Sequence, residues 1–296
     1  ILRRTKAEVT PELPARTEIS RVIELSAAER LLYAEARRAA LLAISSGEGD
    51  ARFILLAALT RLRRLACHPR LVDPTSTVPS SKLAALMEIV AELRETGHHA
   101  LIFSQFTTHL ALVREALDRD KISYEYLDGS TPVEERARRI AAFQRGSAEL
   151  FLISLKAGGT GLNLTAADYV IHLDPWWNPA VEDQATDRAH RIGQTRPVTV
   201  IRLISRGTIE ESVLSLHGEK RALSASLFDE EGGPSRLSVE DLASLIRAGA
   251  EQGAGVVEDE AGDALGEEEV MDEAVEAPVK AAKKGASGKA RTRGRA

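Results

Sequence analysis

The sequence predicts an α/β fold in which helices cover both faces of a parallel sheet. After residue 80, short runs of consecutive apolar residues alternate with longer segments of helical periodicity. Continuous apolar runs are typical of strands buried on both faces, and each right-handed crossover between parallel strands places a helix over the sheet. Five strands are predicted, at Ala100–Phe103, Tyr124–Leu127, Leu150–Ile153, Tyr169–Leu173 and Val198–Ile204.

One helix is predicted before the first of these strands, at Ser81–Thr96, and others between them, at His109–Arg119, from Thr131 onward, and from Ala180 to about Arg188. The third helix is opened by Thr131, with Pro132 at its first position and Glu134 completing a capping box. Ligands of such sheets gather at the carboxyl ends of the strands. The loops after the first four strands are therefore where we look for chemistry.

The segment before the sheet is predicted to be helical. Ser26 and Glu29 have the spacing of a capping box, and a helical pattern follows them. A second amphipathic helix is predicted at Ala51–Cys67, and the turn-rich stretch Pro74–Pro79 separates both helices from the sheet.

The segment after the last strand is predicted to be a capped helix and then a disordered tail. Thr208 and Glu211 open a helix that runs to about Ser226. The stretch Glu258–Glu276 is strongly acidic and Lys280–Arg295 is basic, and neither contains an aromatic residue. Such compositions bury too little apolar surface to offset chain entropy, so we expect disorder after Ala250. The basic end is either a nucleic-acid contact or a solvated extension.

Composition limits the function classes. The chain has 296 residues, 44% of them hydrophobic, and no apolar run that predicts a membrane span or a signal peptide. Its one cysteine, Cys67, excludes an internal disulfide and a multi-cysteine zinc site, and the histidines have no ligand spacing, so no metal is predicted. The net charge of −5 is dominated by the tail and does not exclude a nucleic-acid partner. Because the chain begins with Ile1 rather than Met, we expect it to be part of a longer protein.

A glycine-rich loop, Ser154–Leu164, follows the third predicted strand. Small residues leave backbone N–H groups free to face an anion, although glycines serve a tight turn equally well. The P-loop pattern G-x-x-x-x-G-K-S/T does not occur in the sequence, so this loop is not a P-loop. The similar GASGK at Gly285–Lys289 lies in the predicted tail, where no strand precedes it.

A second cluster lies between Asp183 and Gln194. Gln184, Arg188 and Arg191 follow one another at offsets of four and three, which on a helix places them on one side. Two converging guanidinium groups repel each other unless an anion lies between them, and they suit phosphate oxygens. The alternative is that the arginines pair with Glu182, Asp183 or Asp187 as surface salt bridges.

Four ordered segments resemble the C-terminal helicase motifs of the Snf2 family of superfamily 2 ATPases. They begin at LIFSQFTTH, YEYLDGSTP, LFLISLKAGGTGLNL with its extension DPWWNP, and DQATDRAHRIGQ. The resemblance runs from Ile1 to about Phe228. It implies a linker and helical protrusion at 1–79, a RecA-like second lobe at 80–205, a brace helix and C-terminal helical segment at 206–250, and the tail at 251–296.

The resemblance implies the second motor lobe of an ATP-dependent translocase on double-stranded DNA. Arg188 and Arg191 match the paired arginines that reach the nucleotide phosphates, with Gln184 beside them, and Gly159 and Gly161 match the loop that couples nucleotide to DNA. ATP with Mg²⁺ would be bound mainly by an upstream lobe, so the fragment alone is expected to be inactive. The cellular location would be the bacterial cytoplasm, at the nucleoid, or the nucleus in a eukaryote.

The family pattern also implies sequence-independent contacts to the DNA backbone, with a DNA-bound protein as a further possible partner. The implied DNA-binding residues are Ser104, Gln105, Gly129, Ser130, Thr131, Lys156, Gly158, Thr160, Trp177 and Asn178. Core packing is the alternative for both tryptophans, and it suits Trp176 better than Trp177. For the whole chain, the alternatives are a non-catalytic DNA-binding or regulatory module and a two-lobed nucleotide-sugar enzyme.

Overall fold

The computed structural model describes residues 13–45, 50–157, 161–222 and 238–254. In chain order the elements are β1 (Arg16–Ile23), α1 (Ala27–Ser45), α2 (Ala51–Cys67), α3 (Ser81–Glu95), β2 (Ala100–Ser104), α4 (Thr107–Arg119), β3 (Tyr124–Leu127), α5 (Val133–Gln144), β4 (Leu150–Ser154), β5 (Tyr169–His172), α6 (Pro179–Thr186), β6 (Val198–Ser205), α7 (Ile209–Ala222) and α8 (Val239–Ala254). In these described ranges, no helix has the length and apolarity to cross a membrane.

The six strands form one parallel sheet in the order β1-β6-β5-β2-β4-β3. Side chains alternate between its faces, as β2 shows: Ala100 and Ile102 pack with α3 and α4, whereas Leu101 and Phe103 pack with α5 and α6. The predicted α/β fold, with helices on both faces of a parallel sheet, is confirmed.

Strand β1 was not predicted. It pairs with β6 along its whole length, from Arg16 opposite Val198 to Ile23 opposite Ser205. Of its eight residues only Ile23 is buried, and Ile19 and Val22 are 46% and 44% exposed. An edge strand with so little buried surface has no continuous apolar run. The sheet therefore begins inside the segment that we predicted to be only linker and helices.

Several helix ends differ from the predictions. Helix α6 ends at Thr186, before Arg188, and α5 begins at Val133 with Pro132 as its N-cap residue and no side-chain cap. The capping box predicted for Thr131 and Glu134 is therefore wrong. The box at Ser26 is confirmed, because the Ser26 N–H donates to Glu29 at 2.9 Å and the Glu29 N–H to the Ser26 hydroxyl at 3.3 Å.

A third apolar cluster joins the helices outside the sheet. Helices α1, α2, α7 and α8 contribute residues such as Tyr33, Leu59, Val213 and Ile246. The Tyr33 hydroxyl accepts a hydrogen bond from the N–H of Ile209 at 2.7 Å, which connects α1 to the start of α7. Helix α8 runs four residues into the stretch predicted as tail, and residues 255–296 lie outside the described part.

Candidate nucleotide and DNA site

The loops expected to carry chemistry follow β2, β3, β4 and β5, which are neighbours in the sheet. Their first residues are connected by backbone hydrogen bonds: the N–H of Leu155 donates to the Ser104 carbonyl, and that of Leu173 to the Phe103 carbonyl, both at 2.9 Å. The structure therefore brings the four loops together at one edge of the sheet, where ligands of parallel sheets bind.

Ser104 is buried at the end of β2. Its hydroxyl donates to Oδ1 of Asp174 at 2.5 Å and accepts the N–H of Phe106 at 3.1 Å, while the Gln105 N–H donates to the other Asp174 oxygen at 3.2 Å. Burial raises the pKa of Asp174, against the opposing effects of the Ser104 hydrogen bond and the Arg63 guanidinium. The Ser104 hydroxyl proton is thus already used in the hydrogen bond to Asp174. The Gln105 side-chain Nε2, in contrast, has no partner among the described residues.

The loop after β3 is built around Asp128. Its carboxylate accepts the hydroxyls of Ser130 at 2.7 Å and Thr131 at 3.1 Å, and the Ser130 N–H at 2.9 Å. Burial would raise the pKa of Asp128, but these hydrogen bonds and that of Tyr126 outweigh it and lower the pKa to about 2. The hydroxyl protons of Ser130 and Thr131 therefore stabilise the turn through hydrogen bonds to Asp128. Gly129, at its exposed tip, leaves backbone open to solvent.

Two further residues predicted to bind DNA present free donors. Lys156, after β4, is exposed. Asn178 caps α6, and its Oδ1 accepts the N–H of Ala180 at 3.0 Å, which leaves the amide NH₂ to donate elsewhere. Gly161 is exposed with φ of 55°. Gly158, Gly159 and Thr160, which were also predicted to bind DNA or nucleotide, lie outside the described residues.

From the sequence we expected core packing to suit Trp176 better than Trp177, and the structure shows the reverse. Trp177 is 4% exposed and belongs to the helical cluster, whereas Trp176 is only partly buried. Between them lies Arg63 of α2, with its guanidinium carbon 5.0 Å from the Trp177 ring centroid and 5.7 Å from that of Trp176. Arg63 also donates to the Pro175 carbonyl at 2.7 Å. Arg63 was missed because its position on α2 carried no signal beyond an arginine in an apolar helix.

The arginine pair lies in a turn after α6 rather than on the helix. Gln184 is exposed on α6, Arg188 is 7% exposed and Arg191 is exposed. The N–H of Leu164 donates to the Arg188 carbonyl at 3.0 Å, so the end of the glycine-rich loop contacts this turn. Burial, and then the charge of Arg191, lower the pKa of Arg188. Its Nε is buried with no partner among the described residues, as suits a group that awaits an anion.

The acidic neighbours of the arginine pair are engaged by other cations. Glu182 forms an ion pair with Arg202 at 2.8 Å, and Asp183 with Arg16 at 2.8 Å. Within the described ranges, neither Arg188 nor Arg191 forms an ion pair. The surface salt bridges considered as the alternative are therefore absent from this part of the chain.

A buried trio beneath the loops has donor atoms that a metal could use. Donor atoms of Cys67, His109 and Asp174 lie within 4.8 Å of one another. Both Asp174 oxygens already accept hydrogen bonds, and burial raises the pKa of the Cys67 thiol well above its usual value. Arg63 and Lys82 already balance the charges of Asp174 and Glu210, so a divalent ion would add uncompensated charge. We assign the trio no metal.

Two protein-family models and several known proteins match the chain. The helicase conserved C-terminal domain family matches residues 81–193, and the SNF2-related domain family matches residues 1–71. The chain is 41% identical to a Chromodomain-helicase-DNA-binding protein 1-like from Danio rerio over 84% of its own length and 25% of that relative's. It thus spans about a quarter of this curated relative.

Two solved structures from Sulfolobus solfataricus are also similar. One, the C-terminal domain of a SWI2/SNF2 ATPase, is 31% identical with a TM-score of 0.64, over 78% of this chain and 97% of that one. The other, a SWI2/SNF2 ATPase core in complex with dsDNA, is 33% identical with a TM-score of 0.67, over 83% of this chain and 53% of that one. The chain therefore belongs to the Snf2 family of superfamily 2 ATPases and has the RecA-like fold of the family's C-terminal lobe.

Proposed function

We propose that the chain is the second motor lobe of an ATP-dependent translocase on double-stranded DNA. The observation that carries this proposal is the arginine pair, Arg188 and Arg191, which has no acidic partner among the described residues. The buried, unpartnered Nε of Arg188 fits a phosphate oxygen. We infer that both arginines act on ATP with Mg²⁺ bound mainly by the first lobe, so the chain alone is not expected to hydrolyse ATP.

The catalytic role of the arginines follows from phosphoryl-transfer chemistry. Negative charge develops on the oxygens of the transferring group, and a guanidinium held beside them stabilises it without covalent chemistry. Gln184, on α6 four residues before Arg188, would lie at the edge of the same cleft. Gly159 and Gly161 would bring the glycine-rich loop to the nucleotide, since Leu164 of that loop contacts the Arg188 backbone.

We also propose that the strand-end loops bind the DNA backbone. The donors that remain available to a phosphate are the Lys156 ammonium, the Gln105 and Asn178 amides and the backbone around Gly129. Such groups contact phosphates without reading base edges, so binding is expected to be independent of sequence. The related Sulfolobus ATPase core, which was solved in complex with dsDNA, supports this proposal.

The arginine pair is tested in the full-length protein that contains this chain. Arg188→Ala and Arg191→Ala should each lower kcat of the DNA-stimulated ATPase by about a hundredfold or more, because each removes a charge from the transition state. Arg196→Ala is the matched control: Arg196 is close in sequence and, like Arg191, exposed, but it pairs with Asp168 at 2.9 Å. Normal turnover in both arginine variants would refute the catalytic role and leave a DNA-binding module.

A further inference from the structure

The C-terminal half of α2 lies against two of the strand-end loops. The guanidinium of Arg63 donates to the Pro175 carbonyl at 2.7 Å, which attaches the helix to the loop after β5. The next residue, Arg64, has its guanidinium carbon 5.8 Å from the ring centroid of Phe106, in the loop after β2. Arg64 is exposed, so α2 presents a cation to solvent beside a loop that we propose binds DNA.

The exposed face of α2 carries a second cation close to the first. Arg61 is also exposed, and it lies three residues before Arg64, about 4.5 Å away along the helix axis. Within the described ranges, neither side chain forms an ion pair or a hydrogen bond. Both guanidinium groups therefore keep their donors available to a ligand.

A cavity of about 680 Å³ beside α2 is lined by both arginines and by no carboxylate. Its other lining residues are apolar apart from Thr60, whose hydroxyl donates to the Leu56 carbonyl at 2.8 Å. Arg61 also borders the cavity on the other side of α2, together with Glu35 and Asp73, but it forms an ion pair with neither. The charged groups that the first cavity offers are thus two guanidinium groups, which suit an anion.

We infer that Arg64 and Arg61 bind the phosphate backbone of the same duplex as the strand-end loops, so that α2 lengthens the DNA-binding surface. The inference rests on the proposed binding of DNA by those loops. Phosphates of one strand follow one another every 3.4 Å or so along the duplex axis, roughly the spacing of the two arginines along α2. DNA is favoured over an acidic peptide because Arg64 adjoins Phe106, the residue after Gln105.

The test is a salt series of duplex binding with the full-length protein that contains this chain. Arg64→Gln and Arg61→Gln should each reduce the slope of log K against log salt by about 1, and the double variant by about 2. Arg64→Lys keeps the charge and should keep the slope. Arg38→Gln is the matched control, because Arg38 is an exposed arginine of α1 that lines neither cavity and has no ion pair within the described ranges. Its slope should equal that of the unaltered protein.

The stepwise loss of slope separates a phosphate contact from a merely structural role. A distorted loop would lower the affinity, but lysine would not restore it and the two losses would not add. If both glutamine variants of α2 keep the full slope while Lys156→Ala reduces it, the inference is wrong, the loops still bind DNA, and the cavity is left to an acidic protein segment. If Lys156→Ala keeps the slope as well, the proposed DNA binding by the loops also fails. An equal loss in Arg38→Gln would indicate a general effect of net charge and overturn the inference.

Discussion

At the scale of single residues, the three hydroxyls in the described part of the chain that were expected to bind DNA already donate to carboxylates. Ser104 donates its proton to Asp174, and Ser130 and Thr131 donate theirs to Asp128. A hydroxyl has one proton, so none of the three can also donate to a phosphate oxygen in this arrangement. These hydroxyls shape the loops, and under the proposed function the contacts to DNA would be made by cationic, amide and backbone donors.

This distinction predicts different effects for two substitutions. Lys156→Ala should weaken duplex DNA binding similarly for all sequences and reduce the slope of log K against log salt by about 1, because one phosphate contact is lost. Ser104→Ala should leave that slope unchanged but destabilise the fold by about 1–3 kcal/mol, since it leaves a buried carboxylate oxygen short of a donor. Fluorescence anisotropy across a salt series and urea unfolding measure the two quantities. A reduced salt slope in Ser104→Ala would show that its hydroxyl contacts phosphate.

At the scale of elements, the five strands with apolar runs were predictable and the largely exposed edge strand β1 was not. Strand β4, with every residue buried, is a continuous apolar run, whereas β1 is held by pairing with β6 and by ion pairs that no local pattern reveals. Thr131 has the spacing of an N-cap, but its hydroxyl bonds Asp128 instead. The partners that decide these cases, such as Asp174 for Ser104, are often distant in sequence.

One buried ion pair connects α3 to α7 across the strand ends. Lys82 and Glu210 are each 1% exposed and 2.5 Å apart, and Lys82 also donates to the carbonyls of Leu173 at 3.1 Å and Leu203 at 3.3 Å. Because Glu210 also accepts the Ser205 N–H at 2.8 Å, this pair attaches two helices to β5 and β6. Removing one partner would leave an uncompensated charge in the core.

Lys82→Met should therefore lower the free energy of unfolding by about 3–5 kcal/mol, which urea titration would measure. Adding Glu210→Met to it should recover part of this loss, because the unpaired carboxylate disappears. The control is Arg94→Met, which breaks the exposed pair with Glu149 at 2.6 Å and should cost no more than about 1 kcal/mol. Equal losses in Lys82→Met and Arg94→Met would contradict a structural role for the buried pair.

At the scale of the whole molecule, the proposed function divides the nucleotide site between two lobes. The described sheet supplies arginines and strand-end donors, and no P-loop pattern occurs within the sheet-forming sequence. Positive charge that converges without an anion is unfavourable within one lobe and becomes favourable when a nucleotide lies against it. Under the proposed function, the arginine pair would therefore be satisfied by a nucleotide that lies in the cleft between the two lobes.

Global stability should depend on pH through two buried histidines. Burial lowers the pKa of His109 from 6.5 to about 3 and that of His172 from 6.5 to about 4. Both are neutral in the folded protein near pH 6, whereas the unfolded chain binds protons at these positions. The stability they contribute is complete above pH 6.5 and is lost as the pH falls toward the folded-state pKa values, at up to about 1.4 kcal/mol per pH unit for each.

Urea unfolding between pH 7 and pH 5 should thus show a free energy that decreases as pH falls. His172→Gln removes one of the two titrations, so its curve should be shallower than that of the unaltered protein, whatever its stability at pH 7. The slope is the informative quantity, because a buried substitution changes the absolute free energy through packing as well. Parallel curves for the two proteins would mean that His172 remains protonatable when folded, and that the packing of its ring on Phe103, with centroids 5.6 Å apart, does not exclude the charged form.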